Sequence, residues 1–251
     1  MFCLKAQRAL VTGCSRGIGL AMADALAEAG ADVIGVSGSL STSGSAVSEA
    51  VRSRGRRFWG YQCDLGNREA FADFQQRLLQ EHPSIDILVN NAGIVQRQPA
   101  LEHADDGWDR VLEVNLTAAF RLSRLIGARM IERGSGKIIS TASVLSQQGG
   151  LLVASYAASK AALANLTRSL ANEWARYGVN VNAIAPGYVN TEMTTALKDD
   201  PIRGRQILER IPAGRFGSPD DFRGPVVFLA SDASRYVHGE TLVVDGGWMG
   251  R

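Results

Sequence analysis

The sequence predicts an α/β protein: one doubly wound parallel sheet of about seven strands with helices on both faces. Three observations predict it. Short apolar runs ending in Gly, Asn, Asp or Ser alternate with amphipathic helical segments along the whole chain. The runs are apolar throughout, as strands buried on both faces are. The first run passes straight into a glycine-rich turn and a helix.

In chain order the strands are ALVTG, DVIGV, RFWGYQCDL, IDILVNNAG, KIISTAS, VNVNAIAPG and TLVVDGG. Between them lie AMADALAEAG, REAFADFQQRLLQE, the long WDRVLEVNLTAAFRLSRLIGARMIERG and AALANLTRSLANEWARYG, each patterned as a helix. The Ser-rich stretch from Ser37 to Ser48 reads as a surface loop running into a helix. No repeat or linker interrupts the pattern, so residues 1–251 read as one domain. Ligands in such a sheet bind beyond the carboxyl ends of the strands.

A net charge of +2 gives no electrostatic case for nucleic acid or for an anionic membrane. No apolar run reaches the roughly 18 residues of a membrane span. MFCLKAQRALVTG has no signal-peptide core. Cys3, Cys14 and Cys63 are scattered, without disulfide or metal spacing, and read as reduced thiols. The expected location is the cytoplasm. His82, His103 and His238 are isolated and read as surface residues, so no metal site is expected.

The turn after the first strand, TGCSRGIG, holds Gly13, Gly17 and Gly19 ahead of a helix. Such a turn suits a pyrophosphate at the helix N-terminus, although the same turn also occurs without a ligand. The second strand ends in Ser37 with no Asp or Glu to repel a 2′-phosphate. Arg16 in the turn could attract one, or stand as a solvated arginine. Asp64, ending the third strand, could accept from an adenine amino group or serve the following helix N-terminus.

TGCSRGIG, the NNAG at Asn90 to Gly93, Asn115, Ser143, YAASK at Tyr156 to Lys160, and PGYVNT together resemble the classical short-chain dehydrogenase/reductase family. The resemblance covers essentially the whole chain and implies a Rossmann-like fold binding NAD or NADP. It implies Tyr156 as general acid/base, Ser143 as the group holding the substrate oxygen, and Lys160 as the cation that lowers the tyrosine pKa and binds the nicotinamide ribose. Asn115 would hold a water linking Lys160 to solvent. Cofactor contacts are implied at Gly13, Ser15, Arg16, Gly17, Ile18, Gly19, Ser37, Asp64, Leu65, Asn91, Ala92, Gly93, Pro186, Gly187, Val189 and Thr191. Asn90 is implied to be mainly structural, with a share in the cofactor wall. The stretch 191–215 reads as a substrate lid. Family members are usually homotetramers through paired long helices, here Trp108 to Glu132 and Tyr156 to Tyr177.

Within the family the chain is similar to the 2-deoxy-D-gluconate 3-dehydrogenase or 2-dehydro-3-deoxy-D-gluconate 5-dehydrogenase subgroup. GRRF, ANEWA, ILERIPAGRFG and VDGGWMGR carry that similarity. It implies an alcohol–ketone interconversion on a sugar acid. A carboxylate needs a cation, for which Arg97 is the candidate. Gln147, Gln148, Tyr188 and Trp248 are further residues that could face substrate. Two features point elsewhere. CSRGIG resembles NADP-dependent acyl-carrier-protein reductases, and Leu151 to Ala154 would make an apolar pocket wall. A 3-oxoacyl thioester or general ketone reductase is therefore the alternative. A purely nucleotide-binding protein would have no need for Asn115, Ser143, Tyr156 and Lys160 together.

Overall fold

The structure, a computed structural model, describes residues 1–41 and 43–251; Thr42, in the Ser-rich loop, lies outside the described residues. Seven parallel strands form one sheet in the order β3-β2-β1-β4-β5-β6-β7. They are β1 (Arg8–Thr12), β2 (Asp32–Ser37), β3 (Phe58–Gln62), β4 (Ile87–Asn90), β5 (Gly136–Thr141), β6 (Val179–Pro186) and β7 (Thr241–Val244). The order reverses between β1 and β4, which opens a crevice at their carboxyl ends.

Alternation within each strand divides the core between two faces. Ala9, Val11, Val33, Ile87 and Val89 pack with α1 (Gly17–Glu28) and α9 (Arg223–Ala230). Leu10, Ile34 and Leu88 pack on the other face with α3 (Arg68–Glu81), α5 (Ala118–Arg133) and α6 (Ala154–Trp174). Phe71, Leu122 and Leu78 are almost wholly buried there, and burial of such side chains stabilises by roughly 1.5–3 kcal/mol each. The remaining helices are α2 (Ala46–Ser53), α4 (Asp105–Leu112), and α7 (Thr195–Lys198) and α8 (Arg203–Arg210) in the stretch read as a lid.

Three expectations change. The helix read over Trp108 to Glu132 is α4 and α5 joined by a π turn at Glu113–Thr117. The cause is a long-range contact: the Asn115 side-chain amide bonds the Ile94 backbone in both directions. The third strand stops at Gln62, short of Asp64, because the chain already turns toward α3. His82 is not a surface residue. It is 3 % exposed, sits against Trp59 and bonds the Tyr61 hydroxyl at 2.8 Å. Leu151 and Leu152 are 73 % and 47 % exposed, and Val153 beside them is buried. Among the described residues no helix is long and apolar enough to cross a membrane.

Candidate active site

The glycine turn shows why each glycine is there. Gly13 leaves β1 at φ +64°, and Gly17 enters α1 at φ +56°. A Cβ on Gly13 would sit 2.8 Å from Ala92 Cα, and one on Gly19 would sit 2.2 Å from the Gly13 carbonyl oxygen. These two glycines let β1, α1 and the β4 loop pack backbone to backbone. Gly17 differs: a Cβ there would meet nothing nearer than the Thr191 methyl at 3.5 Å. The N-cap residue of α1, Arg16, makes no side-chain cap, and the first turn carries no acid. Uncapped N–H groups beside an open glycine suit a diphosphate. Ile18 packs against the core beneath this turn.

Asn91 and Thr12 hold the turn to β4. The Asn91 amide donates to the Thr12 and Gly13 carbonyls, both at 3.1 Å, and accepts from the Thr141 hydroxyl at 3.2 Å. Thr12 Oγ1 accepts from the Asn91 and Ala92 N–H groups at 2.9 Å. Asn90 is 3 % exposed, and its amide donates to the Ser123 hydroxyl at 3.0 Å.

At the end of β2 three hydroxyls meet. Ser15 lies 3.2 Å from Ser37 and 3.1 Å from Ser39. Arg16 donates to Ser39 at 3.3 Å and pairs with Glu192 at 2.6 Å. Asp64 is already engaged: both its oxygens accept from Arg110 at 2.7 Å. Partial burial alone would raise its pKa, but Arg110 and the Gly66 N–H hold it below the usual carboxylate value. Leu65 beside it is buried.

The reactive groups follow β5 and open α6. Ser143 caps a short 3-10 turn, its hydroxyl accepting from Leu145 N at 3.1 Å. Ser146, in the same turn, donates to the Lys160 carbonyl at 2.8 Å and so ties that turn to α6. Tyr156 and Lys160 lie one turn apart, the ammonium 5.7 Å from the phenol ring centre. Lys160 is 2 % exposed, donates to the Thr141 carbonyl at 2.5 Å, and burial pulls its pKa down to about 8. Gly93 lies beside these groups: a Cβ there would be 3.4 Å from both Lys160 Nζ and Asn115 Oδ1.

The expected lowering of the Tyr156 pKa is absent from this geometry. Burial raises it, and the Ser143 hydroxyl and the Arg97 charge offset only part of that. Lys160 points at Thr141 instead. The Asn115 side chain is likewise committed, donating to Ile94 O and Ser159 Oγ at 3.0 Å and accepting from Ile94 N at 2.8 Å. A water at Asn115 would therefore have to use its main chain.

Beyond Tyr156, Arg97 donates to the Met193 carbonyl at 3.0 Å. Gln148 accepts from the Trp248 indole at 2.9 Å, so its carbonyl faces the protein. Tyr188 meets Trp248 edge to face at 4.7 Å. Trp248 itself is buried, and Gln147 is exposed. Pro186 ends β6, and Gly187 follows it against Asp245, where a Cβ would sit 2.7 Å away. The Val189 side chain is buried, and its carbonyl accepts from the Thr194 hydroxyl; Thr191 opens the next turn. Sequence reasoning passed over Ser39, Thr12, Thr141 and Ser146. Ser39 stood in the Ser-rich loop, but nothing in its type set it apart from its neighbours.

A family model described as enoyl-(acyl carrier protein) reductase matches residues 13–249. A 2-dehydro-3-deoxy-D-gluconate 5-dehydrogenase of Pseudoalteromonas atlantica is 59 % identical, over 100 % of this chain and 98 % of its own. A Beutenbergia cavernae protein, provisionally assigned as an NAD(P)-dependent gluconate 5-dehydrogenase and solved with bound NADP, superimposes with a TM-score of 0.95 at 48 % identity, covering 100 % of this chain and 99 % of its own. A gluconate 5-dehydrogenase of Burkholderia cenocepacia, solved with NADP and tartrate, gives 0.92 at 39 %, covering 100 % and 98 %. The chain belongs to the short-chain dehydrogenase/reductase family and is an oxidoreductase acting on CH-OH groups.

Proposed function

We propose that this protein is an NADP-dependent dehydrogenase of a sugar acid of the 2-dehydro-3-deoxy-D-gluconate type. The observation that carries the chemistry is the grouping at the carboxyl ends of β1, β4 and β5. A phenol stands beside a serine hydroxyl and one turn from a buried lysine, and an open glycine turn adjoins them. The sugar acid rests on the 59 % identical relative and on Arg97, whose charge acts on Tyr156. A dinucleotide bound along Gly17 supplies the acceptor for a hydride from the carbinol carbon. In oxidation Ser143 donates a hydrogen bond to the substrate oxygen, and ionised Tyr156 takes the hydroxyl proton. Lys160 supplies the compensating positive charge. The test is turnover with 2-dehydro-3-deoxy-D-gluconate, neutral ketones and a 3-oxoacyl thioester; activity on the thioester alone would discard the substrate assignment.

NADP is favoured by the Ser15–Ser37–Ser39 hydroxyl group, by Arg16, and by the absence of an acid at the end of β2. Ser37→Asp places a carboxylate where a 2′-phosphate would lie. The expected result is a KM for NADP raised by about 30-fold, from roughly 2 kcal/mol of lost affinity, with the KM for NAD unchanged or lower. An equal loss for both cofactors would contradict the placement.

The stretch 191–215 acts as the lid, latched to the cofactor turn by Arg16 and Glu192. The protein is a cytoplasmic homotetramer; Trp108 on α4, Phe120 on α5 and Tyr177 in the turn after α6 leave apolar surface on the segments that would pair. Light scattering should give four times the 26.9 kDa chain mass, and a monomeric mass would exclude this assembly.

A further inference from the structure

Helix α8 brings two arginines that no role has yet absorbed to the Tyr188–Trp248 pair. Arg203, Ile207, Arg210 and Ile211 are spaced four, three and one apart, which sets them on one side of the helix. That side is fixed by packing: Ile207 and Ile211 are buried in one cluster with Val144 and Trp248. Arg210 lies with its guanidinium carbon 4.0 Å from the Trp248 ring centre. A guanidinium stacked in this way keeps its N–H edge free for a carboxylate. Nearby arginines are paired, Arg205 with Glu209 and Arg215 with Asp221. Among the described residues, Arg203 and Arg210 form no such pair.

The fields felt by the two phenols divide the site. Burial raises the Tyr188 pKa, and Arg203, Arg210 and Arg97 pull against it. At Tyr156 the opposing arginine is Arg97 alone. Both phenols feel Arg97, and Tyr188 also feels Arg203 and Arg210; Arg210 stacks on Trp248, which meets Tyr188 edge to face.

We propose that Arg203 and Arg210 bind the substrate carboxylate, at the end of the site remote from Tyr156, and that Arg97 contacts the chain between them. The inference rests on the sugar-acid reading above. It moves the carboxylate contact from Arg97 to α8, and makes closure of the lid sensitive to an acid in the site, because α8 belongs to that segment.

The test compares Arg203→Gln, Arg210→Gln and the double variant on 2-dehydro-3-deoxy-D-gluconate and on its methyl ester, with NADP. The double variant should raise KM for the acid by about 20-fold or more, as loss of charge-assisted hydrogen bonds predicts, with kcat changed by less than about threefold. KM for the ester should not move, and Arg203→Lys should recover part of the loss. Calorimetry with tartrate on the NADP-loaded protein gives a readout without turnover and should weaken in parallel. Arg203→Gln alone leaves the Trp248 stack intact and should show the same sign. An unchanged KM for the acid, or an equal rise for the ester, overturns the inference while leaving the sugar-acid reading in place. An unmodified protein that turns over no sugar acid overturns both.

Discussion

Tyr156→Phe lowers kcat/KM by about a thousandfold, within the range assigned to a positioned acid/base, while cofactor affinity stays within about twofold. The substitution removes one hydroxyl and keeps the ring, so the contact with Lys160 and the start of α6 should survive. Fluorescence titration with NADP, run beside the turnover assay, separates the two effects. Loss of both together would mean the tyrosine holds the cofactor or the fold, and not the proton. The pH dependence follows from the same residue. Burial keeps the phenol protonated through neutral pH, which suits donation of a proton to a ketone. Oxidation needs the ionised form. Alcohol oxidation should therefore rise with pH, and ketone reduction should fall at high pH, with both limbs absent from the residual rate of Tyr156→Phe.

Lys160→Met should abolish most turnover, by about a hundredfold or more, and at the same time make the protein more stable. Lys160 is almost wholly buried, and among the described residues its ammonium makes one hydrogen bond, to the Thr141 carbonyl. Burial lowers its pKa from 10.5 to about 8. Below about pH 8 both the folded and unfolded chains carry the proton, and the full cost of burying the charge is present. Between about 8 and 10.5 the unfolded chain binds more protons, so stability rises with pH across that window. Methionine removes the charge and fills similar space. The gain at pH 7 should be roughly 2 kcal/mol after the lost hydrogen bond is deducted. It should shrink as pH rises toward 10. Urea unfolding of both proteins at pH 7 and 9.5 reads this directly. A variant less stable at pH 7 would show that the Thr141 bond outweighs desolvation. A lysine held at such a cost is a mark of function over stability.

The strands and the glycine turn were legible because their signals are local. Val, Ile and Leu runs set β1, β2, β4, β5 and β6 to within a few residues, and the clash distances at Gly13 and Gly19 follow from a turn that the glycines announce. What escaped depends on contacts between distant residues. The π turn at Asn115 exists because Ile94, 21 residues earlier, offers both a donor and an acceptor. His82 is buried because Tyr61 and Trp59 of β3 receive it. Asp64 is held by Arg110, 46 residues later. Lys160 turns to Thr141, a carbonyl that no spacing within YAASK identifies. Arg203 and Arg210 sit in a charged helix whose composition is that of any solvated helix; only the packing of Ile207 and Trp248 gives them a direction.

The central claim is that Tyr156, held with Ser143 and Lys160, takes the hydroxyl proton of a sugar acid, while the hydrogen on the carbinol carbon would leave as hydride to a nicotinamide. The most direct measurement uses 2-dehydro-3-deoxy-D-gluconate carrying deuterium at carbon 5, with NADP as acceptor and the reduced cofactor analysed by mass spectrometry. The account predicts deuterium on the nicotinamide ring, a slower rate than with the unlabelled substrate, and no transfer by Tyr156→Phe on the same timescale. Unlabelled reduced cofactor, or deuterium retained in the oxidised sugar acid, would contradict it.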